Sequence, residues 1–217
     1  MSGCGTIKGI LFDMDNTLLQ SSIDYPSMKR GVYEYFRERG AMDGDFPVEA
    51  HTTATVLEHV RLAGGDAELL DGALEVAAQY ELAGMEGAGL EPGARELLKA
   101  LRGRCILVIV TNNAYAAAVR ALKSTGILDR FDLIVGREQM TAMKPAPSGY
   151  LYAMERFGLI SSGEWLSVGD AWIDGKASAE AGVRFVSYRT PVADMLQRGV
   201  KPVGRIGHLL ELADWVG

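Results

Sequence analysis

Two carboxylates one residue apart, Asp13 and Asp15, stand at the end of an apolar run from Ile7 to Phe12. Acids at that spacing repel each other and are costly to desolvate, and a bound divalent cation relieves both problems. Asp, Asn and Thr are also ordinary strand-exit and turn residues, so the pair alone is open to either reading. Three further sets share its character. The run Cys105 to Val110 ends in Thr111-Asn112-Asn113, and the run Trp165 to Val168 ends in Gly169-Asp170, with Asp174 four residues on. Lys144 lies in Met-Lys-Pro-Ala-Pro, just ahead of a helical stretch. Each has a plain alternative. Thr111 or Asn112 could cap the helix that follows, and Gly169-Asp170 could be a turn. Asp174 could be a first-turn acid favoured by the helix dipole, and Lys144 a solvated charge. Convergence is what resists these alternatives: three apolar runs each end in small or acidic polar groups, and a lysine falls between the second and third.

As a set, these residues suit phosphoryl transfer, which depends on positioning and charge stabilisation. Asp13, Asp15 and Asp170 can form an oxygen-rich magnesium site with positions left for water and a phosphate oxygen. Thr111 and nearby backbone amides can donate to phosphate, and Lys144 supplies a fixed positive charge.

The elements that must position these groups alternate. The pattern predicts strands at Ile7 to Phe12, Cys105 to Val110, Asp132 to Val135, Trp165 to Val168 and Arg184 to Ser187. Helices are expected up to Leu101 and over Tyr115 to Ser124, Ser148 to Phe157 and Asp174 to Ala181. Alternating strands and helices argue for an α/β class with a parallel sheet wound by right-handed crossovers. Ligands of such sheets bind at the carboxyl ends of the strands, where all three polar sets fall. Between the first and second strands lies a helical block with predicted helices at Tyr25 to Arg39, Pro47 to Leu62 and Asp66 to Leu82. Met28, Val32, Tyr35 and Phe36 carry the helical spacing of the first. The glycine-rich stretch from Gly84 to Gly89 is expected to break the third. The expected organisation is an α/β core over 1–19 and 89–217, with an all-helical insertion over 20–88.

Composition excludes several classes. The chain has 217 residues, is 48% hydrophobic and carries a formal net charge of −6, so it can bury a core. Without a basic run it is expected to bind neither nucleic acid nor an anionic membrane surface. No apolar stretch approaches a membrane span, and the start lacks a signal-peptide core. Cys4 and Cys105 form no disulfide or zinc pattern, and His51, His59 and His208 do not cluster. A soluble, reducing, cytoplasmic setting is expected. The stretch Gly3-Cys-Gly-Thr-Ile-Lys-Gly imitates a phosphate loop but precedes its strand, the wrong order for a dinucleotide site.

In sequence order, the four polar sets resemble the haloacid dehalogenase superfamily, whose best-populated branch is magnesium-dependent phosphatases. Asp13-Met-Asp-Asn-Thr17 is similar to its first motif, Thr111 with Asn112 to its second, Lys144-Pro-Ala-Pro to its third, and Gly169-Asp170 with Asp174 to its fourth. The resemblance implies a Rossmann-like parallel sheet flanked by helices, with a helical cap inserted between the first two motifs. Such a cap closes over the site and supplies substrate contacts. The resemblance implies that Asp13 is a nucleophile that becomes an aspartyl-phosphate. Asp15 would be the general acid and then the base, with its backbone carbonyl on the metal. Thr111, Asn112 and Lys144 would hold phosphate, and Thr111 and Lys144, counted in the catalytic set, would also balance the charge of the nucleophile. Mg2+ would be held by Asp13, Asp15, Asp170 and Asp174, the last either directly or through water.

The implied activity is magnesium-dependent hydrolysis of a small phosphomonoester, of phosphoglycolate or sugar-phosphate type. A phosphomutase shares the aspartyl-phosphate, and a non-catalytic binding or regulatory member is a second alternative. A dehalogenase fits less well, because that branch does not need the acid at Asp15. The chain departs from the pattern at Trp172, between the acids of the fourth motif. Trp172 is expected to pack against the sheet edge, with lining of the cavity mouth as the other option. Oligomeric state and the natural substrate are not legible.

Overall fold

The structure, a computed structural model, describes residues 6–216. Gly3, Cys4 and Gly5, the start of the imitation phosphate loop and with it the first cysteine, lie outside the described residues. The chain divides into two compact units: residues up to Ser21 with those from Ala88 onward, and Ser22–Gly87.

The first unit is built on a six-stranded sheet. Its strands are β1 (Gly9–Phe12), β4 (Ile106–Val110), β5 (Leu133–Val135), β6 (Trp165–Gly169), β7 (Arg184–Tyr188) and β8 (Gly204–Ile206). The order is β5-β4-β1-β6-β7-β8, and every pairing is parallel. Strands covered on both faces need continuous apolar sequence. Accordingly Ile10, Leu11 and Phe12 of β1, and Val108 to Val110 of β4, are all fully buried. β1 occupies the middle of the sheet, paired with β4 on one side and β6 on the other, in register Phe12 to Ile109 and Phe12 to Val168. This pairing brings the three polar strand ends side by side. Gly9 has no side chain because a Cβ there would run into the indole of Trp165.

The flanking helices are α4 (Ala94–Leu101), α5 (Tyr115–Ser124), α6 (Ser148–Arg156), α7 (Trp172–Glu180) and α8 (Val192–Gln197). One core cluster joins Leu11, Val108, Val110 and Trp165 to Tyr150 and Ala153 of α6 and Ala177 of α7. Trp172 packs against Phe185 of β7, the strand next to the sheet edge, and against Met195 and Val200. Burial pushes the Cys105 thiol up to about 11, which suits a packed group. A two-stranded hairpin absent from the sequence reading, β2 (Leu19–Gln20) with β3 (Gly89–Leu90), closes the chain where the second unit leaves and returns. Strands of two residues separated by some seventy positions carry no local signal.

The second unit holds α1 (Tyr25–Glu38), α2 (Thr53–Leu62) and α3 (Ala67–Met85), with α1 packed on both of the others. Asp24 and Asp66 cap α1 and α3 through Ser27 N–H at 3.0 Å and Leu69 N–H at 2.9 Å. The expected helix from Pro47 is split. A 3-10 turn over Val48–Ala50 comes first, and then Thr52 opens α2 by exchanging bonds with Thr55. In the other direction α3 runs past Leu82 and through Gly84, whose missing side chain makes room for the backbone of Ile23. Among the described residues no helix is long and apolar enough to cross a membrane.

Candidate active site

All seven residues singled out by the sequence lie in the first unit, just beyond strand ends, on the loops beside them or, for Asp174, in the first turn of α7. Asp13 follows β1 directly, and its N–H donates to Val168 O at 2.9 Å, tying the exit of β1 to that of β6. The chain then turns tightly. Asn16 takes a left-handed φ of 54°, its N–H reaches Leu19 O at 2.7 Å, and the N–H groups of Leu18 and Leu19 both reach Met14 O. Asn tolerates that conformation better than most residues.

Lys144 is the hub. It is 1% exposed, and its Nζ donates to Asp13 Oδ1 at 2.6 Å, Asp174 Oδ1 at 2.7 Å and Val110 O at 2.8 Å. An ammonium has three donors, and all three are used. Burial works against the charge, but the carboxylates of Asp13 and Asp174 outweigh it and hold Lys144 well above the ordinary lysine range. Lys144 balances and orients the carboxylates of Asp13 and Asp174, and its three donors are all taken up by protein in this arrangement.

Asn112 ties the lysine loop to the end of β4. Its Nδ2 donates to Lys144 O at 2.9 Å, and Lys144 N–H donates to its Oδ1 at 2.8 Å. The side chain thereby anchors the lysine backbone. Its neighbour Asn113, for which the sequence reading gave no role, is buried and donates from Nδ2 to Asp15 Oδ2 at 2.7 Å. The available signal was the doubled amide after β4: adjacent residues point in different directions, so one turns to the lysine loop and the other to Asp15. Thr111 is buried, and its Oγ1 accepts from Asn113 N–H at 3.2 Å, which leaves the hydroxyl proton free to be donated.

Asp15 is buried, and its second oxygen, Oδ1, has no hydrogen-bond partner. Burial, and then the charge of Asp13, push its carboxyl up to about 7. A carboxyl in that range can give and take a proton near neutrality.

One oxygen from each of Asp13, Asp170 and Asp174 lies within 4.8 Å of the others, close enough to share one cation. Carboxylate oxygens are the donors that magnesium prefers, so the set fits it chemically. Asp15 places no carboxylate oxygen in this group because its side chain is turned to Asn113. That corrects its inclusion as a side-chain ligand and leaves it only the backbone carbonyl that the resemblance assigns. Burial, then repulsion from Asp13 and Asp174, push Asp170 up to about 8. Burial pushes Asp174 to about 6, opposed by Lys144. Asp174 is the more committed of the two, since its Oδ2 also accepts from Ala171 N–H at 3.1 Å. The Oδ1 of Asp170 accepts from Thr17 Oγ1 at the longer distance of 3.3 Å.

The family model described as haloacid dehalogenase-like hydrolase matches residues 7–182. A phosphoglycolate phosphatase from Rhodobacter capsulatus is 30% identical, over 82% of this chain and 83% of its own length. Another, from Cereibacter sphaeroides, is 28% identical over 89% of this chain and 93% of its own. A crystal structure of a HAD-superfamily hydrolase from Geobacter sulfurreducens is similar over the whole of both chains, with a TM-score of 0.64 and 25% identity. With three polar sets gathered at the ends of adjacent parallel strands, the Lys144 loop drawn onto them and the family match covering residues 7–182, the chain belongs to the haloacid dehalogenase-like hydrolase family.

Proposed function

We propose that this hydrolase is a magnesium-dependent phosphatase acting on a small phosphomonoester through an aspartyl-phosphate on Asp13. The observation that carries the reading is the pairing of roles in adjacent acids. Asp13 is held by Lys144 at 2.6 Å, and Asp15 is buried, turned to Asn113 and pushed up to about 7. Two carboxyl groups whose surroundings separate them in this way suit one nucleophile and one acid.

In the first step an Asp13 oxygen attacks phosphorus while the bond to the leaving oxygen breaks, and Asp15 gives its proton to that oxygen. In the second, ionised Asp15 takes a proton from water, the water oxygen attacks phosphorus, and the Asp13–phosphorus bond breaks to release inorganic phosphate. Thr111 is assigned a hydrogen bond to the phosphoryl group. Lys144 keeps Asp13 and Asp174 in place throughout. A magnesium ion held by Asp13, Asp170 and Asp174 would supply positive charge to the phosphoryl oxygens.

A substrate of phosphoglycolate type is supported by the relatives, both phosphoglycolate phosphatases; a sugar phosphate is the other candidate. Choice among such substrates is assigned to the helical unit Ser22–Gly87, in keeping with the resemblance to capped members. A cytoplasmic setting accords with a small phosphorylated metabolite as partner. The test is phosphate release from a panel of small phosphomonoesters and an aryl phosphate, with magnesium and with chelator. Magnesium-dependent release with a preference inside the panel is expected. Equal release in chelator, or none from any ester, would overturn the reading.

A further inference from the structure

The loop that carries Asp170 is gripped from the neighbouring strand. β6 and β7 pair with Gly169 opposite Ser187, which brings the residues just past β7 alongside Asp170. There Arg189 takes a left-handed φ of 58°, and Thr190 is turned back so that its Oγ1 donates to the backbone carbonyl of Asp170 at 2.7 Å. Thr190 is itself pinned. Its N–H donates to Tyr188 O at 2.6 Å, and its carbonyl accepts from Ser187 Oγ at 2.8 Å. The conformation of Arg189 is braced by buried Glu91, which takes an ion pair from Arg189 at 2.8 Å and a hydrogen bond from Tyr188 OH at 2.9 Å. Glu91 N–H in turn donates to Leu18 O at 2.9 Å. A run of bonds thus leads from the turn after Asp15, through Glu91 and Arg189, to the main chain of Asp170. Glu91, Arg189 and Thr190 belong to none of the four motifs.

We propose that Thr190 is a positioning residue for the acidic group, its hydroxyl holding Asp170 within reach of Asp13 and Asp174. Asp170 needs such a tether. It stands against two like charges, follows a glycine, and its side chain accepts a long contact, 3.3 Å, from Thr17. Free of Thr190, the loop relieves repulsion by moving the carboxylate outward, and the geometry needed by a cation is lost. This inference rests on the reading of the acidic group as a magnesium site.

The test compares Thr190→Val, which keeps the shape and removes the donor, with Thr190→Ser, which keeps the donor. Magnesium binding is measured by calorimetry without substrate, beside kcat and KM over a magnesium titration. Thr190→Val should bind magnesium about tenfold more weakly, in the range seen when outer partners of metal ligands are lost. Its kcat should recover at saturating magnesium, its substrate KM should stay close to wild type, and Thr190→Ser should restore the affinity. Wild-type affinity in Thr190→Val would overturn the inference, and so would a Thr190→Ser variant as weak as the valine. A wild-type protein that binds no magnesium would overturn it together with the metal reading, which separates the two failures.

Discussion

Replacing Asp170 by Asn should stabilise the metal-free protein while destroying its response to magnesium. Oxygens of Asp170, Asp13 and Asp174 lie within 4.8 Å of one another. At an effective dielectric of about 20, two unit charges at that separation interact by roughly 3.5 kcal/mol. Asp170 faces two such repulsions, and the Lys144 ammonium offsets about one. After allowance for the poorer polar contacts of Asn, a net gain of about 2 kcal/mol remains. For a chain of this length, that is roughly 4–8 °C in Tm. The pH dependence has a definite sign. The folded pKa of Asp170 is raised from 3.8 to about 8. A raised carboxylate contributes stability that is fully present below the unfolded pKa and is lost as pH rises through the folded one. The advantage of Asp170→Asn over wild type should therefore be close to zero near pH 4 and reach its full size by about pH 8. Magnesium should reverse the order at pH 8, because wild type gains about 2.7 kcal/mol at a hundredfold excess over Kd while the variant gains little. Thermal unfolding followed by circular dichroism at pH 4, 6 and 8, in chelator and in magnesium, reads all of this. A variant less stable than wild type at pH 8 in chelator would refute the argument, as would equal magnesium gains in the two proteins.

Asp13→Asn keeps size but removes the attacking oxygen, so turnover should fall by at least about 10³-fold with the fold intact; substantial residual activity in a clean preparation would contradict the covalent role. Asp15→Asn should slow poor leaving groups more than good ones across an aryl phosphate series, because good ones need less protonation; uniform slowing would count against Asp15 as the acid. With Asp15 pushed up to about 7, kcat/KM should decline above that pH as the proton needed for the leaving group is lost; a profile flat through pH 9 would remove Asp15 from that step. Asn113→Ala takes away the donor that favours ionised Asp15, so the same limb should move to higher pH; an unmoved limb would show that Asn113 does not tune it.

The sequence by itself determined five of the eight strands, β1 and β4 to β7, with their polar ends and the identity of the acids. These are local properties: an apolar run buried on both faces, such as Ile10 to Phe12, and the acids that follow it are written in consecutive positions. It also marked the helical block, whose periodicity is equally local, although the split at Thr52 and the run of α3 through Gly84 turned on one cap and one close contact with Ile23. Tertiary structure alone decided which partner each polar group found. Lys144 reaches Asp13 across 131 positions and Asn113 reaches Asp15 across 98, and no spacing along the chain chooses between such pairs. That choice saturates the lysine, turns Asn112 to a backbone and Asn113 to the acid, and takes the carboxylate of Asp15 out of the metal group. The grip of Thr190 on Asp170 is of the same kind, since it exists only because β6 and β7 lie side by side and bring the residues past their ends together.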